Sequence, residues 1–200
     1  MTSAPMPRDP SYRMSTVPHP SDEPTRLRAL VQQAAQFGHF TLASGKTSDF
    51  YFDGRLVTLH PEGMWLVARA IHRLVPDEWG ITAVGGPTLG ADPIAAASAL
   101  VGYREFDRHW SAFLVRKEAK QHGAAKQVEG PPLSDDSRVI VVEDTVTSGG
   151  SVLRALKPIE ATGATVVHVV ALLDREEGAV DAFAEAGYPF TALLRRSELG

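Results

Sequence analysis

Short runs of consecutive apolar residues alternate with stretches of helical periodicity along most of this chain. ITAVGG (81–86) predicts a strand, PIAAASALVG (93–102) a small-residue helix, and SAFLVRK (111–117) a second strand. RVIVVED (138–144) follows as a strand, and GSVLRALKPIEATG (150–163) as a helix ended by Gly163. ATVVHVVALLD (164–174) is a strand, VDAFAEAGY (180–188) a helix and PFTALL (189–194) a last strand. Nearly continuous apolar strands separated by helices indicate a parallel sheet with both faces covered, an α/β fold.

Before this block, PEGMWLVARAIHRLV (61–75) opens on Pro61, a residue suited to the first helical position, and carries apolar residues at helical spacing. HFTLASG and SDFYFDG read as a short hairpin-like pair around Gly45. Further back, RLRALVQQAAQF (26–37) predicts a helix capped by Thr25, with Leu27, Leu30, Val31, Ala34 and Ala35 facing inward. Residues 1–24 hold six of the fourteen prolines and little to bury, and read as a disordered tail. Residues 25–200 are expected to form one domain, without an internal repeat.

Composition adds exclusions. With 44% hydrophobic and 22% charged residues among 200, the chain has the make-up of an ordinary globular protein. A formal net charge of −4 gives no nucleic-acid footprint. The absence of cysteine removes disulfides and thiolate metal sites and suits a reducing, cytoplasmic setting. No apolar run approaches the roughly 20 residues that span a bilayer, and the first residues lack the apolar core of a signal peptide.

The chemistry concentrates in VIVVEDTVTSGGS (139–151). An apolar strand ends on adjacent carboxylates, Glu143 and Asp144, which repel each other and are costly to bury without partners. In open parallel sheets, ligands bind beyond the carboxyl ends of the strands. The turn that follows offers hydroxyls, glycines that let amides converge, and a helix N-terminus, which together suit a phosphate. It is not a Walker loop, because GxxxxGK[ST] is absent. Carboxylates just before a phosphate cradle are acceptors for sugar hydroxyls, so a sugar phosphate accounts for the whole pattern. The alternative is that Asp144 only caps the helix and the glycines only turn the chain.

This segment resembles the ribose-phosphate signature of the type I phosphoribosyltransferases. With FTLASGKTSDFYFDGR, GGPTLGADPIA, LVRKEAKQHG and LLDREEG in that order, the chain resembles the orotate phosphoribosyltransferases from about Leu27 to its end. The resemblance implies a central parallel sheet flanked by helices with a small N-terminal hood. It implies a homodimer with shared active sites, and transfer of phosphoribose from phosphoribosyl pyrophosphate to orotate with Mg²⁺ held mainly through the donor. Glu143, Asp144, Thr145, Val146, Thr147, Ser148, Gly149, Gly150 and Ser151 would bind the ribose phosphate. Arg116, Lys117, Lys120 and His122, on a mobile loop of about residues 116–130, would meet the pyrophosphate, with Lys120 as the main catalytic residue. Thr147 and Arg175 would face orotate.

Each assignment has a plainer reading. The charged loop text is equally that of a solvated segment. Arg175 could pair with Glu176 or Glu177 on the surface, GGPTLG could be a tight strand-to-helix turn, and FYF could be core. Many family members carry a lysine where this chain has Ala43, and another in the loop where it reads TLGADP. Asp92 instead adds a negative charge there. A purine-type phosphoribosyltransferase would not need Arg175 for a carboxylate, and a non-catalytic regulator on this fold would need a nucleic-acid surface.

Overall fold

The structure is a computed structural model, and it describes residues 22–41, 47–118 and 127–200. Its centre is a six-stranded sheet in the order β5-β4-β3-β6-β7-β8, made of β3 (Ala83–Pro87), β4 (Ser111–Val115), β5 (Val128–Glu129), β6 (Arg138–Val146), β7 (Thr165–Asp174) and β8 (Phe190–Arg195). All neighbours run parallel except the short β5, which pairs antiparallel with β4 at one edge. The helices are α1 (Glu23–Ala34), α2 (Arg55–Thr58), α3 (Pro61–Leu74), α4 (Ala91–Glu105), α5 (Gly150–Glu160) and α6 (Ala179–Glu185).

Alternation along β6 explains why its sequence is apolar throughout. Ile140 and Val142 point into a core shared with α1, α3 and α4, through residues such as Val31, Ile71 and Ile94. Val139 and Val141 point the other way, against Val152, Leu156, Ile159 and Phe183 of α5 and α6. Each such side chain, withdrawn from water, contributes about 1.5–3 kcal/mol. Both faces need apolar residues, so no amphipathic alternation survives.

Chain direction then fixes where a ligand can sit. From β3 the chain crosses through α4 to β4 on one side, and from β6 through α5 to β7 on the other. The adjacent strands β3 and β6 therefore feed loops that diverge, leaving a crevice at their carboxyl ends. The loop after β3 and the acidic end of β6 meet in that crevice.

The N-terminal part departs from the sequence expectation. Residues 35–37 belong to β1 (Ala35–Thr41), which pairs antiparallel with β2 (Thr47–Phe52). Pairing of Ala35, Gln36 and Phe37 with Phe52, Tyr51 and Phe50 overrides the helical periodicity that ran on to Phe37. Leu27, Val31 and Ala34 are buried as expected, and Leu30 packs against the same core. Thr25 does not cap the helix: α1 begins at Glu23, with Pro24 in its first positions. Glu23, which the sequence assigns to the tail, is buried and bonded to Arg69 and Arg73 of α3. Burial works against its ionisation, but the hydrogen bonds from Arg73 and Arg69 outweigh it and hold the carboxyl below its usual range.

Among the described residues, no helix is long and apolar enough to cross a membrane.

Candidate active site

β6 carries Glu143 and Asp144 to the crevice, and two loops fold over them. Glu143 is 8% exposed, and its Oε1 accepts from the Asp144 amide at 3.1 Å. A Cβ placed on Gly90, in the loop before α4, would stand 2.1 Å from Glu143 Oε1 and 2.7 Å from Asp144 Oδ1. One on Gly54, before α2, would stand 2.7 Å from Asp144 Oδ2. Only backbone without a side chain fits this close to the acids. Gly54 was not singled out by sequence, since nothing local marks a contact with a strand ninety residues further on. The Thr88–Leu89 peptide in the covering loop is cis.

This enclosure governs protonation. Burial first, then the neighbouring Asp144 charge, push the Glu143 carboxyl up to about 9. Burial also pushes Asp144 and Asp92 above their usual values, and Asp92 Oδ1 finds no hydrogen-bond partner among the described residues. A carboxyl raised in this way keeps its proton in the folded chain, whereas the unfolded chain releases it near 4.5. Stability contributed by Glu143 is thus largest below about pH 4.5, falls as pH rises, and levels off above about 9. Glu143→Gln is therefore expected to flatten the decline of thermal midpoint measured without substrate between about pH 5 and 8.5. An unchanged slope would show that Glu143 is ionised throughout.

Beyond the acids, the chain turns through Thr147 and Ser148 to Gly149, whose φ of 76° lies in the left-handed region that glycine tolerates. The first turn of α5 has no side-chain cap, so its amides remain open to an anion. Asp144 is not its cap, which removes the plainer reading of that residue. Thr145 to Val152 line a cavity of about 90 Å³, and Thr145 Oγ1 is buried without a partner among the described residues.

Arg175 follows β7, its side chain 12% exposed and its Cζ 5.7 Å from the centre of the Phe50 ring. One Nη2 donates to Ser48 Oγ at 3.1 Å and lies 2.8 Å from Glu177. The pair with Glu177 anticipated by the plainer reading therefore exists, yet Arg175 Nε stays buried with no partner among the described residues. The C-terminal segment tightens this corner. Arg196 Nη2 donates to Asp49 Oδ2 at 2.6 Å, and Ser197 donates to Glu176.

On the opposite side of the acids, a cavity of about 280 Å³ is lined by Thr88, Arg116, Lys117, Glu143, Ser151 and Arg154 among others. Arg116 and Lys117 leave the end of β4, where Arg116 N donates to Gln127 O at 2.9 Å beside the β4–β5 ladder. Lys120 and His122 lie outside the described residues, as do Ala43 and Gly45. Of the aromatic run, Phe50 is fully buried and Tyr51 is 40% exposed. Gly85 and Gly86, at the end of the strand expected over 81–86, are buried within β3.

Residues 60–184 match the phosphoribosyl transferase domain family. An orotate phosphoribosyltransferase from Rhodopirellula baltica is 44% identical over 181 residues, 87% of this chain and 92% of the relative. One from Corynebacterium glutamicum is 42% identical over 175 residues, again 87% of this chain and 92% of the relative. The chain belongs to the orotate phosphoribosyltransferase family. The crystal structure of the Mycobacterium tuberculosis orotate phosphoribosyltransferase in complex with phosphoribosyl pyrophosphate is similar at TM-score 0.75 and 34% identity, covering 89% of this chain and 99% of that one. Adenine phosphoribosyltransferase from Trypanosoma brucei, at TM-score 0.62 and 17% identity, shares the fold only. Membership in the orotate phosphoribosyltransferases accounts for the parallel sheet, and the chain spans nearly all of its relatives' length.

Proposed function

We propose that this chain transfers phosphoribose from phosphoribosyl pyrophosphate to orotate, giving orotidine monophosphate and pyrophosphate in pyrimidine synthesis, in the cytoplasm. The observation that carries the reading is that the Glu143–Asp144 pair and the open turn at Gly149 share the carboxyl end of β6 with Arg175, whose Nε has no hydrogen-bond partner among the described residues. The carboxyl groups exchange hydrogen bonds with ribose hydroxyls. The turn from Thr145 to Ser151 receives the 5-phosphate on its amides.

As the bond to pyrophosphate lengthens, positive charge grows on the anomeric carbon and negative charge on the leaving group. In this reading Asp144 faces the first, and Arg116 and Lys117, which line the cavity beside Glu143, meet the second. By family resemblance, Lys120 and His122 complete that cationic set and reach the site of the neighbouring subunit. Exposed Leu100 and Tyr103, three apart on α4, and exposed Leu56 of α2 with Leu59 just after it support a homodimer, because exposed apolar side chains that cluster often mark an interface.

Magnesium fits this site as an ion carried by the donor. Among the described residues no group of three or more His, Cys, Asp or Glu side chains could hold a metal, while Mg²⁺ commonly binds through substrate phosphates and waters. When bound, the ion neutralises charge on the pyrophosphate oxygens.

A panel of bases tests the reading: protein, donor and Mg²⁺ with orotate, uracil, hypoxanthine or adenine in turn. Turnover of orotate alone is the expected result, and turnover of a purine without orotate overturns it. Arg175 supplies the discrimination, since its fork suits a planar carboxylate. Arg175→Ala should raise the KM for orotate by about 10² with little change for the donor, the scale of removing one partner of a desolvated charge pair. Equal effects on both substrates would show that Arg175 serves the packing around Phe50 and Ser48.

A further inference from the structure

Resting on that reaction, we infer that Arg154 is a ligand of the pyrophosphate group, a role that no motif of the sequence assigns. Arg154 is the fifth residue of α5, and helical side chains lean toward the helix N-terminus. Its guanidinium returns over the first turn: Nη2 lies 3.5 Å from Ser151 Oγ, and Nη1 would be 3.4 Å from a Cβ on Gly150. It thereby joins Arg116, Lys117 and Thr88 on the wall of the 280 Å³ cavity beside Glu143.

The placement is electrostatically wrong for a chain with no ligand to bind. The N-terminus of a helix is its positive end, and the first turn of α5 has no acidic residue. Many arginines of the domain pair with a carboxylate, among them Arg55 with Asp53, Arg69 with Glu23, Arg108 with Asp77, Arg175 with Glu177 and Arg196 with Asp49. Arg154 has no carboxylate partner among the described residues, and its one hydrogen bond goes to a hydroxyl. An exposed cation over a positive helix end, with no carboxylate paired to it, is placed to take an anion from outside.

Two anion sites adjoin here, and the lining separates them. The smaller cavity takes its walls from Thr145 to Val152 and excludes Arg154. Arg154 lines only the larger one, with the cations at the end of β4. The larger cavity suits the more highly charged group, pyrophosphate, and a guanidinium fork can hold two of its oxygens. Arg154 differs from Arg116 and Lys117 in being fixed on a helix packed into the core through Val152, Ala155 and Leu156. That makes it a preformed part of the site.

The test is calorimetric titration of inorganic pyrophosphate with Mg²⁺, and separately of ribose 5-phosphate, into wild type, Arg154→Ala and Arg154→Lys. Arg154→Ala should weaken pyrophosphate by about tenfold or more, as expected for losing a charge-assisted hydrogen bond. Ribose 5-phosphate affinity and thermal midpoint should stay unchanged, and Arg154→Lys should recover part of the loss. Pyrophosphate affinity within about twofold of wild type in Arg154→Ala overturns the inference, as does a wild type that binds no pyrophosphate, because one lost contact should cost more than that. A loss confined to ribose 5-phosphate also overturns it, placing Arg154 at the other phosphate. If orotate is not turned over while pyrophosphate binding still depends on Arg154, the proposed reaction fails and the pyrophosphate site stands.

Discussion

Lys120→Ala is expected to lower turnover by about 10² or more, the scale of removing one preorganised charge from a closed site. The departing pyrophosphate gathers negative charge as the sugar bond breaks, and a cation that closes over it acts mainly in the transition state. The effect should therefore fall on kcat with a smaller change in KM for the donor. Thr147→Asp should be inactive for a different reason, because it sets a negative charge in the open turn before α5, where the proposed reaction would seat the phosphate. If each loop serves the neighbouring subunit, mixing these two inactive proteins under conditions of subunit exchange should restore activity. One site of each heterodimer then collects both substitutions and the other none. With equal concentrations and random exchange, half the dimers are heterodimers, so recovery approaches about a quarter of wild type. A mixture that stays inactive, with exchange verified by mass spectrometry, shows that each loop serves its own subunit. Near-normal turnover by Lys120→Ala would remove the catalytic role assigned to it.

The largest effect on stability is expected from one methyl group on β3. A Cβ on Gly86 would lie 2.1 Å from the Val142 carbonyl oxygen and 2.9 Å from the Ala91 Cβ. One on Gly85 would lie 2.0 Å from the Phe113 carbonyl oxygen and 2.6 Å from its ring. The obstacles are backbone atoms of the flanking strands, which cannot retreat without opening the β3–β6 and β3–β4 ladders. Gly86→Ala should cost roughly 3 kcal/mol or more, at or above the upper end for overpacking a core. For a domain of this size the thermal midpoint would drop by about 6–12 °C. Gly38→Ala is the control: its nearest neighbour would be the Phe40 ring at 3.5 Å, an ordinary contact. A Gly86→Ala midpoint within about 2 °C of wild type would mean that the strands yield more easily than close packing allows.

These glycines also show where sequence reading stops. GGPTLG signalled a strand-to-helix turn, and that turn does cover Glu143 and Asp144 through Gly90. Gly85 and Gly86 instead answer to the approach of β4 and β6, whose residues come tens of positions later in the chain. Glu23 follows the same rule. Its local setting is a proline-rich, polar stretch, and only α3 supplies Arg69 and Arg73 to bury it against. Helical spacing ran to Phe37 because periodicity is local, while the pairing of β1 with β2 that ends the helix is not.

By itself the sequence determined the alternation of strands and helices, because strands buried on both faces must be apolar throughout. It also pointed to a sugar phosphate at the carboxyl end of β6, because adjacent carboxylates suit sugar hydroxyls and the hydroxyls and glycines after them suit a phosphate. Tertiary structure alone decided what surrounds those groups. The divergence of the connections after β3 and β6 leaves the crevice in which Gly90 and Gly54 stand against the acids and burial raises the Glu143 carboxyl. Tertiary packing brought Ser48 and Phe50 to Arg175 across more than a hundred residues, and set Arg154 on one cavity wall with Arg116, Lys117 and Glu143. Such contacts depend on burial and on the crossing of distant segments, which no local pattern records.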